Sequence, residues 1–183
     1  MDLELSVYVA LIVAYRLLEA LAMREAGSYG RRPRRDWTMA LIVVPYYVVM
    51  VGPLLEYLAL ESIPGLANFG FGGLCFAAAV FFRARGHLDL GRGFSMAIER
   101  TDGAGLVDTG LYATIRHPLY LGNLFLFFAC PLFLGAKLSW IAAVLGLVGV
   151  LIRIQMEEAF LMRELEGYEA YVERTWALLP GVY

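Results

Sequence analysis

Charge is scarce in this sequence. Asp, Glu, Lys and Arg make up 17% of its residues against 60% hydrophobic ones, and the mean hydropathy is +0.65. Soluble domains carry roughly 25% charged residues, so a water-solvated globule is excluded. Cysteine is almost absent. Cys75 and Cys130 both sit in apolar runs without CxxC or Cys/His spacing, which excludes a disulfide framework or a metal site and leaves them as small core residues. The net charge of −2 and the acidic pI of 5.7 hide a strong positional bias of the charges and do not point to a nucleic-acid partner. No Ser/Gly-rich linker or charge run divides the 183 residues, which read as one domain over 1–183. The first apolar segment opens on Asp2 and Glu4. It lacks the positive start and small-residue cleavage site of a secretory signal, so it is expected to be retained.

Long hydrophobic runs are what the sequence does have. Segments 3–23, 38–60 and 66–82 each approach the ~20 residues a helix needs to cross a bilayer. Pro45 and Pro53 interrupt the second, and Ile63-Pro64-Gly65 is a turn signal before the third. Segments 118–134 and 138–154 read as a helical hairpin around Gly135-Ala136-Lys137, with Pro131 expected to kink its first arm. The fold class predicted is therefore an all-α integral membrane protein with about five transmembrane helices: three in residues 1–85 and two in a C-terminal region 86–180. Past Met156, Phe160, Leu161, Leu165, Tyr168 and Val172 keep helical spacing among charged residues, which predicts a C-terminal amphipathic helix ending near Pro180.

Arginine sets the expected orientation. Arg24, Arg31, Arg32, Arg34 and Arg35 lie between spans one and two, and Arg83, Arg85, Arg92, Arg100 and Arg116 follow span three. Both loops are expected in the cytoplasm, with Lys137 outside, the N-terminus outside and the C-terminus inside. Trp37, Trp140 and Trp176 fall near span ends, where the ring suits the headgroup level.

Ionisable groups beside a bilayer are costly and so are candidate functional groups. Arg16 and Glu19, three apart, are expected to pair on one helix face. Glu56 is expected to reach the outer interface. The richest cluster reads LVDTGLYATIRHPLYLGN from Leu106, followed by the adjacent carboxylates Glu157 and Glu158. Pro118 suits the first residue of a helix, which puts Arg116 and His117 at a positive helix start that favours an anionic ligand group. Glu157 and Glu158 stand about 100° apart on a helix and are expected to have separate roles. The alternative is that the pair only marks where the helix leaves the membrane.

The ordered series Leu90-Gly91, Phe94-Ser95, Leu106-Val107, Gly110, Tyr112, Arg116-His117-Pro118, Tyr120, Gly122, Glu157-Glu158 with Leu161, then Gly167-Tyr168-Glu169-Ala170-Tyr171, Arg174 and Pro180 resembles the isoprenylcysteine carboxyl methyltransferase family and its bacterial and archaeal relatives, including phospholipid methyltransferases. The resemblance covers roughly residues 86 to 180 and implies a cytoplasmic pocket for S-adenosylmethionine, with S-adenosylhomocysteine as product. It implies that Arg116, His117, Pro118, Leu119, Tyr120, Tyr112 and Glu157 hold the donor. Arg174, Arg153 and Glu158 would serve the acceptor side, and which glutamate faces the donor stays open. The Ala-, Leu-, Gly- and Arg-rich composition reads as bacterial, so an inner membrane is expected. The acceptor is then a small lipophilic acid, thiol or amine, or a lipid headgroup, among membrane lipids as partners. Two other classes compete: an NADPH-dependent reductase of the sterol and steroid type, which resembles the same RHP segment, and a non-catalytic membrane protein.

Overall fold

The computed structural model describes residues 3–27, 36–60, 64–91 and 105–182. The arginines at 31, 32, 34, 35, 92 and 100 and the Phe94-Ser95 pair lie outside these residues. The described chain is helical: α1 (Leu3–Glu25), α2 (Ala40–Leu60), α3 (Leu66–Leu90), α4 (Pro118–Leu134), α5 (Ser139–Glu164) and α6 (Tyr168–Glu173). Short 3-10 turns at Trp37–Met39 and Gly110–Ala113 precede α2 and α4. Among the described residues there is no strand, only an isolated parallel bridge between Ile115 and Trp176. The protein is an all-α membrane protein.

Helices α1, α2 (with its leading turn), α3 and α5 are each long and apolar enough to cross a membrane, while α4 is a shorter apolar helix. It has 17 residues, twelve of them buried, because it runs through the centre and touches α1, α2, α3 and α5. The outer faces are apolar and exposed, including Leu17 and Leu21 on α1, Leu55 and Leu58 on α2, and Val144 and Leu145 on α5. Such a surface suits lipid and not water.

Glycine sets how closely α3 and α4 approach. A Cβ at Gly72 would meet Phe133 at 2.8 Å, one at Gly86 would meet Leu119 at 2.7 Å, and one at Gly122 would meet Arg83 at 2.8 Å. Small residues let membrane helices approach to backbone contact. Two polar ties join α2 to the α4–α5 hairpin. At one end Glu56 accepts hydrogen bonds from the backbone of Lys137, Leu138 and Ser139. At the other, Asp36, just before α2, pairs with Arg153 of α5 at 2.9 Å.

Three expectations change. Helices α3 and α5 continue to Leu90 and Glu164, well beyond where hydropathy falls, so the division expected at residue 85 lies inside α3. Arg83 stays helical within the bundle because Glu19 of α1 receives it. Glu56 is not a free surface carboxylate: at the end of the bundle it is buried against the start of α5 and the hairpin tip. The long C-terminal amphipathic helix is replaced by the end of α5, a break at Gly167 (φ +81°) and the six residues of α6. A positive φ suits glycine and stops a helix. Pro131 lies in the last turn of α4, three residues before Leu134 and the left-handed Gly135.

Candidate functional site

The site forms where the start of α4, the end of α5 and the C-terminal segment meet. Pro118 opens α4 with His117 as its N-cap residue, as a proline without an N–H prefers. The first helical bond runs from Leu121 N–H to His117 C=O at 3.0 Å. The N–H groups of Leu119 and Tyr120 precede it and point out of the positive helix start. This start is clamped from behind. Arg116 N–H donates to Trp176 C=O at 2.8 Å and His117 N–H to Ala177 C=O at 3.0 Å, while Trp176 N–H donates to Thr114 C=O at 2.9 Å.

Glu157 and Glu158 take different partners, as their angular separation on α5 predicts. Glu158 Oε1 accepts from Arg116 Nε at 2.7 Å and lies 3.1 Å from His117 Nε2. The same guanidinium reaches the carbonyls of Val172 and Thr175 through Nη1, so Arg116 ties α5 to the C-terminal segment. Glu157 Oε2 accepts from the Tyr120 hydroxyl at 2.7 Å. The His117 and Tyr120 rings are stacked, 5.5 Å between centroids.

Arg153 is almost fully buried and spends its donors on positioning. Nε donates to the Tyr120 hydroxyl at 3.1 Å, and Nη1 to Asp36 Oδ2 at 2.9 Å and Thr38 Oγ1 at 2.6 Å. Asp36 also receives the Thr38 hydroxyl at 2.6 Å. A connected chain thus runs from the entry of α2 through Arg153 and Tyr120 to Glu157. Asp36 and Thr38 carry no motif in the sequence; only the Asp-X-Thr capping pattern before an apolar run marks them.

Tyr112 is buried in the 3-10 turn before α4. The Leu111 N–H there donates to Asp89 of α3 at 2.9 Å. Burial, with the Glu157 charge close by, pushes the Tyr112 phenol well above its usual range. Its carbonyl accepts the Tyr171 hydroxyl at 2.7 Å, and burial pushes the Tyr171 phenol up to about 12.

Tyr168 is the residue sequence reasoning left unassigned. It is buried, and its hydroxyl has no hydrogen-bond partner among the described residues. Burial, then the nearby charges of Glu158 and Glu157, hold its phenol far above the usual range. The phenol is therefore protonated and has a hydrogen bond to give.

The structure thus brings together Arg116, His117, Pro118, Leu119, Tyr120, Glu157 and Glu158, with Arg153 and Tyr112 behind them. Arg174 stands apart from the cluster. It pairs with Asp108, the two side chains being 59% and 40% exposed, and its guanidinium lies over the Tyr171 ring at 5.8 Å. Among the described residues no group of His, Cys, Asp and Glu is suited to hold a metal ion.

The profile of the isoprenylcysteine carboxyl methyltransferase (ICMT) family matches residues 72–163, half of the chain. The matched stretch takes in the start of α4 and both glutamates, and it stops short of α6 and Arg174. No curated protein matches the chain.

Proposed function

The chain belongs to the isoprenylcysteine carboxyl methyltransferase family, a family of membrane methyltransferases, and on that premise we propose that it methylates a lipophilic acceptor using S-adenosylmethionine. The observation that carries this reading is the convergence of the positive α4 start with two separately held carboxylates, Glu158 on Arg116 and His117, and Glu157 on Tyr120.

The donor set fits that molecule. Its carboxylate matches the outward N–H groups of Leu119 and Tyr120 and the neighbouring Arg116 and His117. Its ammonium and ribose hydroxyls match Glu157 and Glu158, and the unpartnered Tyr168 hydroxyl has a hydrogen bond to give. Pro118 and Tyr112 complete the surroundings. When bound, S-adenosylmethionine supplies a methyl group activated on a sulfonium. The protein's part is alignment and exclusion of water, which for a charge-neutralising displacement supplies most of the acceleration.

On the acceptor side, Arg174 orients an acidic group once it leaves Asp108. Arg153 acts as a positioning residue, since Asp36 and Thr38 hold it and it holds Tyr120. A carboxylate acceptor needs no base, whereas a thiol or amine gives its proton to the His117–Glu158 pair. The arginine distribution supports a cytoplasmic site with the N-terminus outside, since Arg24, Arg163 and Arg174 share the side of the site and Lys137 lies at the other, and the Ala-, Leu-, Gly- and Arg-rich composition supports a bacterial inner membrane.

Equilibrium binding to the purified protein tests the reading. S-adenosylhomocysteine should bind and NADPH should not. The reverse result would move the protein among the reductases, and binding of neither would leave a non-catalytic protein. Radiolabelled methyl transfer to a panel of lipophilic carboxylates, thiols and amines then identifies the acceptor.

A further inference from the structure

A second cluster of charge lies among α1, α2 and α3. Glu19 is buried and receives Arg83 through Nε at 2.7 Å and through Nη2, Arg16 through Nη1, and the Tyr46 hydroxyl at 3.1 Å. Arg16 Nη1 also donates to the Tyr46 hydroxyl at 2.8 Å, which lies 3.3 Å from that of Tyr15. His87 Nε2 faces Glu19 at 4.0 Å. Two guanidiniums against one carboxylate leave a surplus positive charge. Counting helix rise, Glu19, Tyr46 and Arg83 sit about 9 to 10 Å inside Glu25, Ala40 and Leu90, and the Arg16 backbone about 13 to 14 Å inside Glu25, from the helix ends on the side of the candidate site.

The two arginines differ in shelter. Arg83 is only 14% exposed and turned onto Glu19, whereas the Arg16 side chain is 44% exposed. Every bond Arg16 makes among the described residues uses Nη1, so Nε and Nη2 have no partner among them. Beside it on α1, Val13 and Leu17 are apolar and exposed. The guanidinium carbon lies 5.7 Å from the centre of the Tyr46 ring.

A half-exposed arginine fork on a membrane-spanning helix with Nε and Nη2 unmet is costly, since hydrocarbon offers no acceptor. A phosphodiester oxygen pair matches the fork and cancels the surplus charge. Basic pockets between membrane helices hold headgroups in this way. We propose that Arg16, backed by Tyr46 and Glu19, forms a binding site for the phosphate of an anionic phospholipid in the leaflet on the side of the candidate site. The site is independent of the methyl-donor constellation.

The test uses the full-length protein, delipidated in a neutral detergent, with phosphatidylglycerol, phosphatidylcholine and inorganic phosphate added separately. Phosphatidylglycerol should raise the unfolding temperature of the wild type by about 5 to 10 °C at saturation. Arg16→Gln should abolish the shift. Arg16→Lys, which keeps the charge without the fork and serves if the glutamine variant does not fold, should lose most of it. Arg163→Gln, an exposed charge at the end of α5 outside the cluster, should keep it. An undiminished shift in the Arg16 variants, or an equal loss in Arg163→Gln, would overturn the site. An equal response to phosphatidylcholine would replace the anionic site by a general lipid effect, and a response to inorganic phosphate alone would assign the fork to a free anion.

Discussion

Glu56 holds Ser139 twice over: its Oε2 accepts both the Ser139 backbone N–H and the Ser139 hydroxyl, each at 3.0 Å. Its Oε1 takes the N–H groups of Lys137 and Leu138, so one carboxylate from α2 satisfies the start of α5, where unpaired donors and the positive helix end meet. Together with the Asp36–Arg153 pair at the opposite end of α2, this pins α5 to α2 at two levels. Glu56→Ala leaves these donors unmet in a buried place and is expected to cost about 2 to 4 kcal/mol of stability. Thermal unfolding in detergent measures it. S-adenosylhomocysteine affinity of the folded fraction should change little, because Glu56 lies at the end of the bundle away from the site.

Glu158 serves two partners and Glu157 one. Glu158→Gln removes the charge that holds Arg116 and His117, and charged hydrogen bonds of this kind contribute about 1.5 to 3 kcal/mol. The expected loss of S-adenosylhomocysteine affinity is roughly 10- to 150-fold. His117→Ala should fall in the same range with nearly normal thermal stability. Titration calorimetry on the two variants decides the matter, and wild-type affinity in a folded His117→Ala protein would remove that residue from the site.

Tyr168 gives a prediction in which stability and binding move in opposite directions. A buried hydroxyl without a partner is a cost in the ligand-free protein, so Tyr168→Phe should leave the unfolding temperature unchanged or raise it by the equivalent of about 1 kcal/mol. The same variant should bind S-adenosylhomocysteine about 5- to 10-fold more weakly, because one neutral hydrogen bond to the ligand is lost. A purely structural tyrosine would show the reverse: lower stability with unchanged binding.

What the sequence reveals and what it conceals divide along contact distance in the chain. The start of α4 was legible because its determinants are local: Pro118 at the first helical position, His117 before it, and two adjacent glutamates whose divergence follows from helix geometry. The contributions of α1 and α2 were not. Asp36 meets Arg153 across 117 positions and Glu56 meets Lys137 across 81, and no periodicity encodes such a meeting. Hydropathy placed the end of span three near Arg83, because a lone arginine is costly in a membrane; Glu19, 64 positions away, removes the cost, and α3 runs on to Leu90. The amphipathic spacing past Met156 was real, but it is divided between α5 and α6 by Gly167, whose backbone conformation the spacing of apolar residues does not register.

Arg174 is the residue on which the acceptor side depends. In this structure it is largely exposed and paired with Asp108, and exposed pairs contribute little to stability. Arg174→Ala should therefore leave the unfolding temperature and S-adenosylhomocysteine affinity essentially unchanged. Turnover is where the loss should appear. If Arg174 leaves Asp108 to grip an acidic acceptor in two places, its removal costs on the order of 2 to 4 kcal/mol of barrier, or about 30- to 1,000-fold in rate. Arg174→Lys should be nearly as damaging, since an ammonium cannot reproduce the planar fork. Asp108→Asn supplies the control: it removes the competing carboxylate without touching the guanidinium, so turnover should hold or rise, and KM for an acidic acceptor should fall. Rates are measured by radiolabelled methyl transfer to the best acceptor of the panel. Full turnover by Arg174→Ala on that acceptor would reduce Arg174 to a surface charge and leave the acceptor to be oriented by other residues.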